Sequence, residues 1–325
     1  MKSKEKYIVV TGGAGFIGSG VVRTLNDQGM KNLIIVDNLG QSDKWKNLVG
    51  KQFLDVLHKD HLFEWLKGRG REIAAFIHLG ACSSTVETDA NYLLENNYRY
   101  SVRLAEYALE NSHRFIYASS AATYGDGSLG FSDHHDTLEI FEPLNMYGYS
   151  KQLFDLWLKN HNLLDQVVGL KYFNVYGPNE YHKGRMSSAI LKMVPDALNT
   201  GKISLFKSSD YEKFQDGGQV RDFIYVKDAA QMTVQFLTNQ AQGIFNIGTG
   251  KKQTWKELAE AVIGALDRPV NIEYVDMPKD LIGKYQNYTK AEMNKSESGL
   301  LMPQFTLEEG VKDYVRNHVL PGKHW

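Results

Sequence analysis

The stretch KYIVVTGGAGFIG, residues 6–18, decides the fold. A β-branched run breaks into glycines, and a helical pattern follows over 15–28. Gly12, Gly15 and Gly18 recur at three-residue spacing, and Gly13, Gly15 and Gly18 satisfy G-x-G-x-x-G. Alone the pattern is weak, and an ordinary glycine-rich turn would also produce it. Between a strand and a helix it has a physical reason. Glycines permit the tight turn, and they let backbone N–H groups approach a pyrophosphate at the helix N-terminus.

Outward from this turn, apolar runs at 32–37, 74–80, 114–120 and 166–173 alternate with helical patterns. Runs apolar on both faces suit a parallel sheet covered by helices, so the chain reads as α/β with a doubly wound sheet. Beyond residue 173 the pattern loosens. Helices are predicted near 185–200, 255–266 and 306–317, and strands at 203–206, 221–226, 244–247 and 271–275. The polar loop KSSDYEKFQDGGQ, 207–219, is expected to order on a ligand or partner. GIFNIGTG, 243–250, has the character of the first half again, so the second domain is expected to be discontinuous.

The 325 residues suit one large α/β domain with a smaller companion. Net charge is −1 with no polybasic block, which argues against nucleic acid as the main partner. Cys82 is the only cysteine, so no intrachain disulfide can form, and a reducing compartment fits. The start MKSKEKYIVVTGG is basic and then apolar, but it breaks into glycine without a cleavage-type tail. No stretch is apolar for long enough to span a bilayer. A cytoplasmic protein without membrane or metal is expected.

Asp37 closes the second strand, where a carboxylate can accept ribose hydroxyls; taken alone it favours NAD. Lys44 follows within DNLGQSDKWKN and could reach a 2′-phosphate. HLGACSS, 78–84, leaves the strand at 74–80 with small residues that let backbone pass close to a flat ligand. Cys82 reads as a packing residue with no catalytic partner nearby.

YASSAATYG, 117–125, is a strand end rich in small hydroxyl residues, and YGYSK, 147–151, follows it. Tyr147 and Lys151 share a helix face at i and i+4. An ammonium beside a phenol lowers its pKa toward neutrality, and a tyrosinate can take an alcohol proton while hydride leaves the carbon. Ser120 can hold the same oxygen. Tyr149 has no lysine four residues on.

TGGAGFIG, YASSAATYG and YGYSK resemble the extended short-chain dehydrogenase/reductase superfamily, which acts on nucleotide sugars. GACSSTVETD, NNYRYS, PLNMYGYSKQLFD, YFNVYGPNEYHKG, RDFIYVKD, GIFNIGTG and GKYQNYT further resemble the ADP-glyceromanno-heptose 6-epimerase family, in order from residue 11 to about 289. That resemblance implies a modified Rossmann domain over 1–173 plus about 226–250, binding NADP tightly, one per subunit. It implies a smaller α/β sugar-nucleotide domain over 174–225 plus about 251–325. The implied activity is inversion of the heptose C6 of an ADP-heptose for the lipopolysaccharide core, in a homo-oligomer.

The same resemblance assigns roles. Ser120, Tyr147 and Lys151 form the catalytic set, with Lys183 as a second acid/base. Gly12, Gly15, Phe16, Ile17 and Gly18 hold the cofactor, as do Asp37, Asn38, Lys44 and Lys59 on the adenosine side. Leu79, Gly80, Ala81, Cys82, Ser83, Asn96 and Val175 line it, with Lys151 and Lys183. Asn174, Arg185, Lys192, Phe206, Lys207, Ser208, Ser209, Arg221 and Tyr285 fall at substrate positions. Arg185 stands where serine is common and Lys192 where histidine is common, so the substrate pocket is expected to differ in detail.

Without the family, Lys183 in GPNEYHKGRM would read as a solvated or phosphate-binding lysine. Epimerisation gives it a reason. A ketone that turns within the pocket points its oxygen elsewhere, and one tyrosine does not serve both orientations. Two alternatives remain: another nucleotide-sugar epimerase or dehydratase, and a non-catalytic dinucleotide sensor. Ala121 and Ala122 after Ser120 argue against the dehydratase, and the intact Tyr147–Lys151 pair argues against the sensor.

Overall fold

A computed structural model describes residues 6–278, 286–296 and 299–325. Tyr285 lies outside the described residues. In chain order the strands are β1 (Tyr7–Thr11), β2 (Leu33–Asp37), β3 (Asp55–His58), β4 (Ile73–His78), β5 (Arg114–Ser120), β6 (Val168–Tyr172), β7 (Asn174–Tyr176), β8 (Lys202–Phe206), β9 (Val220–Arg221), β10 (Phe223–Tyr225), β11 (Gly243–Ile247), β12 (Gln253–Thr254) and β13 (Asn271–Val275).

Seven of them form one parallel sheet in the order β11-β6-β5-β4-β1-β2-β3. Successive residues feed opposite faces: Val10 and Ile35 enter one core, while Val9, Ile34 and Val36 enter the other. This explains strands apolar at nearly every position. The order reverses between β1 and β4, and ligands of doubly wound sheets bind outside the strand ends at such a point. The helices Phe16–Asp27 and Val226–Val234 cover one face side by side. At Gly20 a Cβ would make ordinary contacts with Val226 and Ala230 across the two helices, but would lie 3.0 Å from the Trp325 ring, so the glycine makes room for that side chain.

A third core gathers the helices Ala189–Thr200, Trp255–Leu266 and Leu307–Tyr314 against β8. There β8 pairs with β13, while β10 pairs with β7 and β9 with β12.

Several local expectations differ from the structure. The predicted strand 166–173 ends at Tyr172, because the chain changes sheets: Phe173 N donates to Ile247 O, and Asn174 N to Asp222 O. The predicted strand 221–226 is two, broken at Asp222. That buried carboxylate accepts from Thr249 N and Oγ1, Gly250 N and Ala291 N, and Val226 already begins a helix. The helix expected from 185 starts at Ala189, after a 3₁₀ turn kinked at Gly184, whose φ is 52°. The edge strand β3 was not predicted; its four residues are exposed or half-buried and lack an apolar signature. Loop 207–219 is tied by its own hydrogen bonds: Ser208 N donates to Asp216 Oδ1, Tyr211 Oη to the same oxygen, and Gln219 Nε2 to Lys207 O.

Candidate active site

The carboxyl ends of β1, β4, β5 and β6 open into one cavity of about 690 Å³. Its floor is the glycine turn. Gly12 has φ of 69°, and a Cβ there would lie 2.6 Å from Gly80 N, so the β1 and β4 turns touch backbone to backbone. A Cβ on Gly18 would lie 2.0 Å from Gly12 O. These close approaches leave a cradle that only glycine can form, and it opens the helix Phe16–Asp27.

At the adenosine end, Asp37 Oδ2 accepts from Ala14 N at 2.9 Å, and Oδ1 pairs with Lys44 Nζ at 2.6 Å. Asp37 is buried and Lys44 half-buried. The carboxylate charge is thus already balanced by an ammonium on the cavity wall. Asn38 is exposed and caps its own turn through Gly40 N. Lys59 Nζ donates to Asn96 Oδ1 at 3.0 Å, and these two meet each other away from the cavity wall.

The chemical centre follows from two local features. Asn145 caps the helix Met146–Asn160 by accepting from Gly148 N. Gly148 lets that helix press onto the end of β5, where a Cβ would lie 2.6 Å from Ala122 O. Tyr147 is thereby brought beside Ser120, whose hydroxyl favours the ionised phenol. Lys151 is buried, and its Nζ donates to Ala118 O at 2.8 Å.

Burial lowers the Lys151 pKa to about 8, opposed by the nearby Asp155 and Cys82. The pKa of the Tyr147 phenol is raised, chiefly by burial, with the Ser120 hydroxyl pulling the other way. Burial outweighs the Ser120 contribution, so the phenol stands above its ordinary value, and the neutrality expected from the Tyr147–Lys151 spacing is not a property of the spacing alone. Cys82 also differs from expectation. It lines the cavity close enough to Tyr147 and Lys151 to act on both electrostatically. Its backbone is clasped by Asn97, which accepts from Cys82 N and donates to Cys82 O.

Lys183 also faces the cavity, its Nζ 5.2 Å from the centroid of the Phe16 ring. Burial lowers its pKa, and Glu180 opposes. Neighbouring His182 is held neutral, with a pKa lowered to about 4 by burial and by Lys44 and Lys183.

The cavity thus collects Gly12, Gly15, Phe16, Ile17 and Gly18, with Asp37, Lys44 and Leu79 through Ser83. Ser120, Tyr147, Lys151, Asn174, Val175 and Lys183 join them. Arg185 and Lys192 are exposed, and Lys192 Nζ donates to Arg185 O. Phe206, at the end of β8, and Lys207 through Ser209, on the loop that follows, lie off the wall. Arg221 is buried behind the wall, its guanidinium 5.7 Å from the centroid of Trp255, which does line the cavity. Sequence reasoning missed Trp255, Phe223 and His182 as wall residues. Trp255 begins a helix after a Thr254–Glu257 capping box, and only the fold turns that position inward. Among the described residues no cluster suits a metal ion, and no helix is long and apolar enough to cross a membrane.

A glycine cradle at the switch point and a Ser/Tyr/Lys set on the neighbouring strand end are the marks of a nicotinamide-dependent enzyme of the short-chain dehydrogenase kind. The chain belongs to the NAD dependent epimerase/dehydratase family, whose sequence profile matches residues 8–248. It is 51% identical to the ADP-L-glycero-D-manno-heptose-6-epimerase of Nitratidesulfovibrio vulgaris, over 96% of this chain and 97% of that one. The crystal structure of the Helicobacter pylori enzyme of the same name superposes with a TM-score of 0.81 at 27% identity, covering 96% of each chain. The Thermus thermophilus UDP-glucose 4-epimerase, solved with NAD, matches with a TM-score of 0.73 at 25% identity, over 98% of this chain and all of that one. The protein is an enzyme, an isomerase of the epimerase kind, and its cofactor is a nicotinamide dinucleotide.

Proposed function

We propose that the enzyme inverts C6 of the heptose in ADP-D-glycero-D-manno-heptose to give ADP-L-glycero-D-manno-heptose. C6 is oxidised transiently to a ketone and re-reduced in the same site, with NADP as the cofactor. The observation that carries this reading is a single cavity holding both the glycine cradle with Ser120, Tyr147 and Lys151 and a second amine, the half-buried Lys183.

The cradle, the Asp37–Lys44 pair and the β4 turn fit a dinucleotide, and Lys44 offers a 2′-phosphate an ammonium beside a neutralised carboxylate. Held by the glycine cradle, a nicotinamide would supply the hydride acceptor and donor for C6. Tyr147 receives the C6 hydroxyl proton while Ser120 holds the oxygen. Lys151 supplies the positive charge that stabilises the phenolate. Because C6 is exocyclic, the ketone can rotate and present its other face. Its oxygen then leaves Tyr147, and Lys183, lowered by burial, serves as the proton group for that orientation.

Residues 1–173 with about 226–250 hold the cofactor in this reading, and 174–225 with about 251–325 hold the sugar nucleotide. The product supplies heptose for the lipopolysaccharide core from a cytoplasmic homo-oligomer. The test is incubation with purified ADP-D-glycero-D-manno-heptose, followed by NMR of the C6 configuration. Epimer formation without net cofactor turnover is expected. An unchanged C6, or a deoxy-keto product, would overturn the assignment.

A further inference from the structure

Behind the chemical centre lies an ion pair with no place in the mechanism above. Lys171 Nζ sits 3.0 Å from Asp155 Oδ2, with the two side chains 1% and 0% exposed. Asp155 also accepts from Tyr117 Oη at 2.9 Å and from Ser119 Oγ at 2.7 Å. Lys171 donates to Thr123 Oγ1 at 2.5 Å and lies 4.7 Å from the centroid of Tyr124. Thr123 in turn donates to the Ser120 carbonyl at 2.8 Å.

A fully buried ion pair is a poor stabiliser. Desolvating both charges cancels most of their attraction, and an apolar pair of similar volume often does as well. Its location suggests another reason. Tyr147, Lys151 and Asp155 follow at intervals of four on one helix, so they share a face. Lys171 stands opposite Ser119 in the β5–β6 register, one residue before the partner of Ser120. The pair therefore touches both supports of the centre, the lysine helix and the serine strand end.

We propose that Asp155 and Lys171 are positioning residues for the reaction: the carboxylate keeps Lys151 charged, and the Lys171 ammonium limits how strongly it does so. The inference rests on the proposed role of Tyr147 and Lys151.

Asp155 lies one turn beyond Lys151 on the same helix face, and its negative charge opposes the effect of burial on that ammonium. The other groups facing Lys151 are Cys82 on the turn after β4, His78 on β4 and Tyr147 on its own helix. Burial and the Lys151 charge hold His78 neutral, its pKa lowered to about 3. Around Asp155 stand Lys171 from β6, Tyr117 and Ser119 from β5, and Tyr124 beyond it, whose hydroxyl burial and acidic neighbours keep protonated. Asp155 is thus the anion nearest Lys151 on its own helix, and Lys171 is the cation that partners it.

The two halves have opposite signs, which separates this role from a merely structural one. Asp155→Asn removes the anion and leaves the Lys171 charge uncompensated, so Lys151 should lose its proton about one pH unit lower. Lys171→Met frees the carboxylate, so Lys151 should hold its proton about one pH unit higher. The double variant should return close to wild type. The direct readout is the Lys151 side-chain resonance in ¹³C-lysine-labelled protein, assigned with Lys151→Met and titrated; the second is the alkaline limb of kcat.

Shifts of the same sign, or none, in the two single variants would overturn the proposal. Should a single variant fail to fold, Tyr117→Phe and Ser119→Ala carry the test. Each strips one donor from Asp155 and should move Lys151 upward, and an unmoved Lys151 in both overturns the proposal. Tyr147→Phe tells the two readings apart. If it keeps near wild-type turnover, the role of Tyr147 fails; if it is inactive while the resonance does not move as expected, only the present inference fails.

Discussion

Gly18→Ala puts the cofactor cradle to a quantitative test. The added Cβ would stand 2.0 Å from Gly12 O, at least 1 Å inside the closest approach such atoms tolerate. Gly12 cannot yield easily. Its carbonyl accepts from Gly15 N at 2.9 Å, and its N–H donates to Val36 O at 2.7 Å. Overpacking of this kind costs about 1–3 kcal/mol, and a lost turn hydrogen bond adds about 1 kcal/mol. Much of that cost falls on the N–H groups that meet the pyrophosphate, so the NADP dissociation constant should rise at least about tenfold, the equivalent of about 1.4 kcal/mol. The urea midpoint should fall with an unchanged m-value.

Two internal controls bracket the variant. A Cβ on Gly15 would lie 3.0 Å from the same oxygen, a tight contact that a small shift relieves, so Gly15→Ala should lose less. Gly264 lies in the helix Trp255–Leu266 with nothing within 4 Å of its would-be Cβ, so Gly264→Ala should stabilise by about 0.5–1 kcal/mol. Isothermal titration with NADP and urea unfolding read all three. A Gly18→Ala protein binding NADP within twofold of wild type, or a Gly15→Ala protein that loses more, would refute the reasoning.

Lys44→Ala should weaken NADP by about 10- to 100-fold and leave NAD nearly unchanged, since a charge-assisted bond to phosphate is worth about 1.5–3 kcal/mol; equal wild-type affinities for the two dinucleotides would contradict the assignment. Lys183→Met should block full epimerisation while NADP stays bound, whereas Lys192→Met, on an exposed position, should change KM at most; near wild-type epimerisation of both isomers by Lys183→Met would make that lysine a bystander. Arg221 is buried off the cavity wall, so Arg221→Lys should leave KM nearly unchanged, and a KM raised more than kcat is lowered would restore the diphosphate contact expected from the sequence. Lys151 also links stability to pH. Its pKa is about 8 in the folded chain against an ordinary 10.5, so between these values the unfolded chain binds more protons and stability rises with pH. Wild type should gain up to about 3 kcal/mol over that window relative to Lys151→Met, read as diverging urea midpoints.

The parallel sheet was legible along the chain because its physics is local. Buried strands must be apolar on both faces, and the turn after β1 must be glycine where backbone meets backbone. Tyr147 and Lys151 were legible for the same reason, since helix spacing alone puts them on one face. What remained closed were the properties made by distant segments. Lys59 and Asn96 meet each other rather than the cavity wall, and Arg221 stands behind Trp255, because packing between elements aims those side chains. The strand at 221–226 breaks at Asp222, whose carboxylate binds backbone from residues 249–250 and 291, contacts that no window of sequence contains. Most of all, spacing says where Tyr147 and Lys151 point but not how they titrate. That depends on how many protein atoms replace water around them and on a carboxylate, Asp155, whose own charge is countered by Lys171 from another strand. Desolvation and buried charge are sums over three-dimensional neighbours, so only the tertiary structure decides them.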